Sequence, residues 1–504
     1  MQKKTMTIIG AGFAGLSAGI YAQMNGYQSE IFEMHNLPGG LCTAWKRKGY
    51  TIDGCIHWLV GSSPESAMNQ FWREVGLTKG REFVNLDEYM RYEGKDGRTV
   101  VFYTDVDKLE NHLLQLSPRD EKVIRELISG IRLGIQFDQQ PTEKDSGLTK
   151  FIKGIKMGWL FLTKGKDMRR WMDTTAAQFA QSFQDPLLRE AFNELWFPEF
   201  SVFFIMFTFS YLNNKNAGYP IGGSMPLSRA LEKRYLDLGG VIHYGSKVEK
   251  ILVENDQAVG IELQDGVQHR ADRVVSAADG HTTIFKMLDG KYVDEKVKQP
   301  YEKWPLFPPL IYVGLGINRV FDEEPKTVSG ISFCLNQPVE IGDQTLDRMT
   351  AHIFNQDPTL APAGKTAITV MINSNYHYWK DMAKDPVEYE EKKGQITRQV
   401  VAALEQRFPG IESQVEMVDV ATPLTFERYT GNWQGSFEGW LITPQNASSI
   451  MSPMKQTLPS LMNFYLCGQW VEPGGGLPTG VMSGRRLMKS ICKEDGKKFV
   501  TTQA

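Results

Sequence analysis

The sequence predicts an α/β fold: one parallel-sheet domain assembled from separated stretches of chain, with an α+β domain inserted between them. Three observations carry this expectation. A β-branched strand at the start runs straight into a glycine-rich turn and a helix of small residues. A strand, a glycine–proline loop and a helix close the far end. A helix followed by further strands recurs in the middle. The chain has 504 residues, too many for one ordinary core, which points to two domains.

The first element is residues 5–9, short, β-branched and apolar, as a buried parallel strand should be. Gly10-Ala11-Gly12-Phe13-Ala14-Gly15 follows, then a helix over 16–26 and a second strand over 28–32, ending at Glu33. Gly10 permits the tight turn, Gly12 lets the backbone approach a pyrophosphate, and Gly15 lets the helix pack closely on the sheet. The helix N-terminus offers free N–H groups and a partial positive charge to phosphates. Glu33 has the spacing of a carboxylate that binds ribose hydroxyls, and an acid there disfavours a 2′-phosphate. This order is that of a Rossmann-type dinucleotide site.

The next segment separates two dinucleotides. Gly39-Gly40-Leu41-Cys42 forms a turn just after the ribose acid, and residues 46–53 read as a β-turn flanked by strands. Here the sequence resembles the large FAD-dependent superfamily that includes amine oxidases, protoporphyrinogen oxidase and phytoene desaturases. The resemblance implies FAD, with Gly39 and Gly40 passing beside its pyrophosphate and flavin. The group's usual Gly-Gly-Arg is Gly-Gly-Leu here, so Leu41 brings no basic contact, and Arg47 is the expected substitute.

The C-terminal end agrees. A strand over 463–467 leads into Gly468-Gln469-Trp470, a loop through Pro478-Thr479-Gly480-Val481, and a helix through 482–486. In phytoene desaturase-like enzymes a similar order closes the flavin site. The resemblance implies that Gly468, Pro478, Thr479, Gly480 and Val481 sit at the cofactor. The helix after Gly480 would then offset negative charge on the reduced flavin. Between the two ends, a helix over 226–237 precedes strands over 239–244, 247–253, 258–263 and 273–279. The position matching Val248 sends backbone groups to the adenine in those enzymes. The expected nucleotide domain is 1–85, 215–290 and 440–504, and the substrate domain is 86–214 and 291–439. No second glycine fingerprint follows a strand, so no separate NAD(P) domain is expected.

Asp53-Gly54-Cys55-Ile56-His57-Trp58 is most similar to the retinol saturase and carotenoid desaturase/isomerase group, with Cys55 where that group has glycine. His57 is the candidate catalytic group, steering a proton near flavin and substrate; the alternative is a strand histidine satisfied by backbone. Residues 154–164 mix aromatics with lysines, as either a membrane-interface segment or an ordinary core helix would. Residues 197–212 carry six phenylalanines, of which Phe200, Phe203, Phe204, Phe207 and Phe209 either line a tunnel for a long hydrophobic substrate or form an ordinary core helix.

Composition narrows the classes. The formal net charge is −3, without a basic tail, which argues against nucleic acid. Five dispersed cysteines are neither a disulfide framework nor a zinc set, and suggest reduced thiols in a cytoplasmic protein. The N-terminal apolar run breaks at Gly10 and reads as a strand rather than a signal peptide. No stretch reaches the roughly 20 apolar residues of a spanning helix, so any membrane contact would be peripheral.

The expected function is an FAD-dependent oxidoreductase acting on carbon–carbon bonds of a lipophilic polyene (carotenoid, retinoid or unsaturated lipid) by desaturation, saturation or isomerisation. Two alternatives are an amine oxidase-like flavoenzyme and a non-catalytic prenyl- or lipid-binding protein of the same fold. The sequence does not name the electron donor or acceptor.

Overall fold

The computed structural model describes residues 3–138, 160, 162–450 and 453–501. Strand β1 (Thr5–Ile9) is apolar because it runs between two parallel neighbours and is buried along nearly its whole length. Helix α1 (Phe13–Met24) and strand β2 (Gln28–Phe32) complete the first unit. The helix starts earlier than the 16–26 expected. Gly12 is extended at the N-cap, so Phe13, Ala14 and Gly15 already lie in the first turn. A Cβ on Gly15 would collide with the Gly10 carbonyl oxygen, which explains the glycine in that turn.

Helix α2 (Ser224–Asp237), strand β3 (Val241–His243), strand β4 (Arg273–Ser276), strand β5 (Phe464–Leu466) and helix α3 (Gly476–Glu494) supply the rest of this layer. The five strands form one parallel sheet in the order β3-β2-β1-β4-β5. Small residues let the helices close over it. Gly484 of α3 leaves no room for a Cβ, which would stand 2.7 Å from the Ala18 nitrogen of α1. That close approach offsets what glycine costs inside a helix.

A second sheet has seven strands, in the order Val415–Ala421, Leu310–Ile317, Thr366–Asn373, Gln344–Ile353, Val328–Ile341, Glu88–Glu93 and Thr99–Tyr103. It is antiparallel except where Val328–Ile341 pairs with Glu88–Glu93. Beside it, the helices Val106–Leu116, Glu121–Asp138, Pro186–Glu194 and Val202–Asn213 share an aromatic-rich core. Phe200, Phe203 and Phe209 are buried in that core, with Phe204 and Phe207 packed against it. The segment thus behaves as a core helix. Of residues 154–164, positions 154–159 and 161 lie outside the described residues.

One buried carboxylate ties a hairpin to the parallel-sheet layer. Asp53 ends the hairpin strand Tyr50–Asp53 and accepts from the Cys55 and Ile56 N–H groups, both at 3.0 Å. It also accepts from the Ser224 N–H at 2.5 Å and hydroxyl at 2.6 Å, so it caps the start of α2. Cys55 keeps a negative φ, so its turn does not require the glycine found in related sequences.

Helix α3 differs from expectation at its start. It begins at Gly476, with Gly480 inside it. Pro478 is compatible with this because the first helical turn needs no donors from its N–H groups. Gly480 acts in packing: a Cβ there would meet Phe13 Cβ at 3.1 Å.

Candidate functional site

A cavity of about 540 Å³ opens where the carboxyl ends of β1 and β4 meet the N-termini of α1 and α3. Open parallel sheets place ligands in this crevice, and the volume is in the range of a small-molecule site.

One end is built from backbone. The Gly39 N–H donates to the Ala11 carbonyl at 2.8 Å, and Gly12 and Gly39 form a parallel bridge. Gly39 and Gly40 hold left-handed φ values of 109° and 61°, which other residues adopt only with strain. A Cβ on Gly40 would stand 3.3 Å from Gly12 Cα, so two bare stretches of backbone face each other. No side chain caps α1, whose first residues line the cavity, so its first N–H groups are free for an anion.

Glu33 forms the rim here and is only 6% exposed. It accepts from the Ala11 N–H at 2.6 Å and the His35 N–H at 2.8 Å. Burial pushes its carboxyl up, while these N–H groups act in the opposite direction. Val248 opens the strand Val248–Glu254 and lines the same end, beside Lys247 and Glu249.

The other end is built from side chains. Trp433, Phe437, Trp470 and Leu477 supply apolar wall, and Cys42 and Cys55 add two thiols. The α3 N-terminus enters here behind Gly475, whose φ is 63°, with no side-chain cap. Thr479 turns its hydroxyl back to the Gly475 and Gly476 carbonyls at 3.0 and 2.8 Å.

Two acids share this wall. Asp279 accepts from the Thr282 N–H at 2.6 Å and the Trp433 N–H at 2.9 Å, and burial raises its pKa to about 6. Glu438 lies against Gly475, where a Cβ would come within 2.8 Å of Glu438 Oε2. It makes no hydrogen bond or ion pair among the described residues, and burial raises its pKa to about 7.

Of the residues expected from sequence, Gly10, Gly12, Phe13, Ala14, Glu33, Gly39, Gly40, Leu41, Val248, Gly468, Thr479 and Gly480 line this cavity. Gly15, Pro478 and Val481 stand behind it in the packing of α1 and α3. Arg47 is not brought in: it is half-exposed and lies 3.8 Å from Asp419. His57 is not a lining residue either. Its ring packs on His352 with centroids 4.8 Å apart, and burial lowers its pKa to about 3, so it is neutral at ordinary pH.

The sequence reading missed Glu438, Trp433, Lys286 and Arg428, all of which line the cavity. A signal existed for the first two: Gly431, Gly435 and Gly439 all have positive φ and mark a shaped loop around them.

The cavity fits FAD on structural grounds. The bare glycine backbone and the α1 N-terminus suit a pyrophosphate, the fixed Glu33 suits a ribose, and the α3 N-terminus suits a ring that becomes negative on reduction. No group of His, Cys, Asp or Glu among the described residues could hold a metal.

Comparison with known proteins agrees. Residues 13–487 match the family of flavin-containing amine oxidoreductases. A lycopene-forming phytoene desaturase from Pseudescherichia vulneris is 24% identical, over 98% of this chain and all of the relative. A chloroplastic prolycopene isomerase from Daucus carota is 22% identical, over 96% of this chain and 80% of the relative. Among solved structures, an oxidoreductase from Methanosarcina mazei superposes with a TM-score of 0.59 at 19% identity, covering 96% of this chain and 100% of that one. Cyclohexylamine oxidase from Brevibacterium oxydans IH-35A gives 0.61 at 14% identity, covering 98% and 100%. With the fold, the glycine cradle and a family match across nearly its whole length, the chain belongs to the flavin-containing amine oxidoreductases and is an FAD-dependent oxidoreductase.

Proposed function

We propose that this enzyme acts on carbon–carbon bonds of a lipophilic polyene, by desaturation, saturation or isomerisation. The observation that carries this reading is the full-length similarity to both a phytoene desaturase and a prolycopene isomerase. The apolar wall of Trp433, Phe437, Trp470 and Leu477 supports it, since a polyene offers little but apolar surface to bind. The finer likeness to retinol saturases, carried by residues 53–58, belongs to the same proposal.

In this proposal FAD lies along the cavity. Gly10, Gly12, Phe13, Ala14, Gly39, Gly40 and Leu41 hold its pyrophosphate, Glu33 a ribose and Val248 the adenine. Gly468, Thr479 and Gly480 lie at the flavin, backed by Gly15, Pro478 and Val481. When bound, FAD supplies hydride transfer at the flavin ring. Residues 1–85, 215–290 and 440–504 form the cofactor part, and 86–214 and 291–439 the substrate part.

The proton is handled by Glu438. An acid that stays protonated to about pH 7 can give a proton to a polyene carbon or take one from it near neutrality. His57 is neutral and packs at a tilt against His352, so it keeps a positioning role behind Cys55. The electron partner is a quinone, oxygen or a soluble carrier. No described helix is long and apolar enough to cross a membrane, and any membrane contact is peripheral in this reading.

The test is anaerobic. FAD-loaded protein, oxidised or reduced, is mixed with phytoene, prolycopene or a polar amine while flavin and polyene absorption are followed. A change in the polyene bands is the expected result. Flavin reduction by the amine alone, with both polyenes untouched, overturns the reading in favour of an amine oxidase.

A further inference from the structure

A second cavity, of about 570 Å³, lies away from the cofactor cradle, between residues 62–85 and Lys215. Arg73, Lys79, Arg81 and Lys215 line it, and no carboxylate does. The rest of its wall is mainly hydroxyl and amide groups, including Ser63, Asn69 and Thr78. Such an unbalanced set of cations is unfavourable by itself, because like charges repel in a partly enclosed space.

Three of the four cations are not paired by the protein. Arg73, Lys79 and Lys215 form no ion pair among the described residues, and the Arg73 Nε is buried with no hydrogen-bond partner. A buried N–H is costly to leave unmatched. Arg81 gives its Nε to the Leu77 carbonyl at 2.7 Å and an Nη to the Pro226 carbonyl, which fixes its guanidinium at the wall. The neighbouring acid, Glu74, is spent elsewhere, on Tyr21 and on Arg485.

The backbone also holds the cations in place. Lys215 has φ of 52°, a left-handed conformation uncommon for lysine. Its neighbour Asn216 pins the opposite wall by accepting from the Ser63 N–H at 3.2 Å and donating to the Ser66 hydroxyl at 2.9 Å. Lys215 is the left-handed residue that ends the helix Val202–Asn213, its N–H donating to the Leu212 carbonyl at 3.0 Å.

We propose that this cavity is a binding site for a phosphate group, gripped by Arg73 and Lys215 with Lys79 and Arg81 completing the positive field. A guanidinium and several hydroxyl and amide donors around a compact opening suit the several acceptor oxygens of phosphate. The same chemistry is carried by an anionic lipid headgroup and by a free phosphate or pyrophosphate. The inference does not depend on the polyene reading, since it concerns a separate cavity.

The test uses the full-length FAD-loaded protein. Inorganic pyrophosphate is titrated calorimetrically at low salt, and flotation is measured with phosphatidylglycerol vesicles against phosphatidylcholine vesicles. Binding of at least one anionic probe is expected. Arg73→Met and Lys215→Met should each weaken it about tenfold, the loss of one charged hydrogen bond, and Lys122→Met on an exposed helix face should not. Lys79→Glu is the safeguard against misfolding, because Lys79 is exposed; it should weaken binding while flavin content and thermal midpoint are unchanged. Pyrophosphate binding sensitive to these changes identifies a soluble phosphate ligand, and vesicle binding alone identifies a lipid headgroup. No binding of either probe, or binding that none of the three substitutions alters, overturns the site.

Discussion

The two ends of the main cavity are built on opposite plans. The end beside Glu33 is made of backbone: glycines at fixed places, one free helix N-terminus and one oriented carboxylate. The end beside Glu438 is made of side chains, among them Trp433, Phe437, Trp470 and Leu477 with the thiols of Cys42 and Cys55. Backbone recognition tolerates little change, because a Cβ in the wrong place displaces the ligand or the turn itself. Side-chain recognition is more adaptable, so the second end is where relatives of one fold diverge in chemistry.

The sharpest break of this contrast is Gly15→Val. The added Cβ would strike the Gly10 carbonyl oxygen, a backbone atom that cannot swing aside. A loss exceeding about 4 kcal/mol is expected, the size reserved for changes of this kind. Denaturant unfolding and flavin stoichiometry measure it. A stable variant with a full complement of FAD would show that the turn is not rigid.

Next in size is Glu33→Gln. The amide retains an acceptor for the Ala11 N–H, now 2.6 Å from the carboxylate, but loses the charge. The expected weakening of FAD is about 10- to 100-fold, from a charged hydrogen bond worth roughly 1.5–3 kcal/mol. Titration of FAD into flavin-free protein reads it directly. An unchanged affinity would move the ribose contact to another residue.

The same contrast explains what the sequence disclosed. Gly10, Gly39 and Gly40 were legible because each holds a positive φ that only glycine meets cheaply, and Gly12 because it keeps the backbone bare where it faces Gly39 and Gly40. The strand Thr5–Ile9 was legible because a parallel strand buried on both faces must be apolar, and Gln28–Phe32, which is only apolar at its end, was legible from its place after the first helix. The start of α3 was not, since Pro478 reads as a breaker although it sits in a first turn where proline is tolerated. Nor was the role of Phe203 or Phe209: an apolar stripe reports burial without saying against what. Glu438 had no local signature. It becomes a cavity acid only because Gly475 is brought against it from 37 positions along the chain. The pairing of Glu88–Glu93 with Val328–Ile341 is equally non-local.

Glu438→Gln sharpens the comparison at the side-chain end. The carboxyl is raised from its ordinary value of 4.5 to about 7 by burial. Between these values the folded chain binds more protons than the unfolded chain, so this group's contribution to stability is full below pH 4.5 and is lost as pH rises through 7. The glutamine variant should lack that decline, and melting curves from pH 4 to 8 compare the two. If Glu438 transfers the proton, turnover should also fall by about 100-fold or more in the variant. A variant with wild-type turnover and the flattened stability profile would leave Glu438 a buried acid without a chemical part.

The smallest effect is expected outside both ends, at Arg47. The family pattern suggests that this residue replaces the missing basic contact at Leu41, yet its guanidinium lies 3.8 Å from Asp419 and does not line the cavity. Its side chain is 52% exposed, and an ion pair in that setting is worth about 0–1 kcal/mol and weakens with salt. Arg47→Met should therefore leave FAD affinity within about twofold and lower stability by no more than that pair supplies. A weakening comparable to that of Glu33→Gln would mean that the hairpin Ala44–Asp53 folds over the cofactor when it binds. The backbone end would then depend on one long side chain after all, and the division between the two ends would be less strict than their geometry implies.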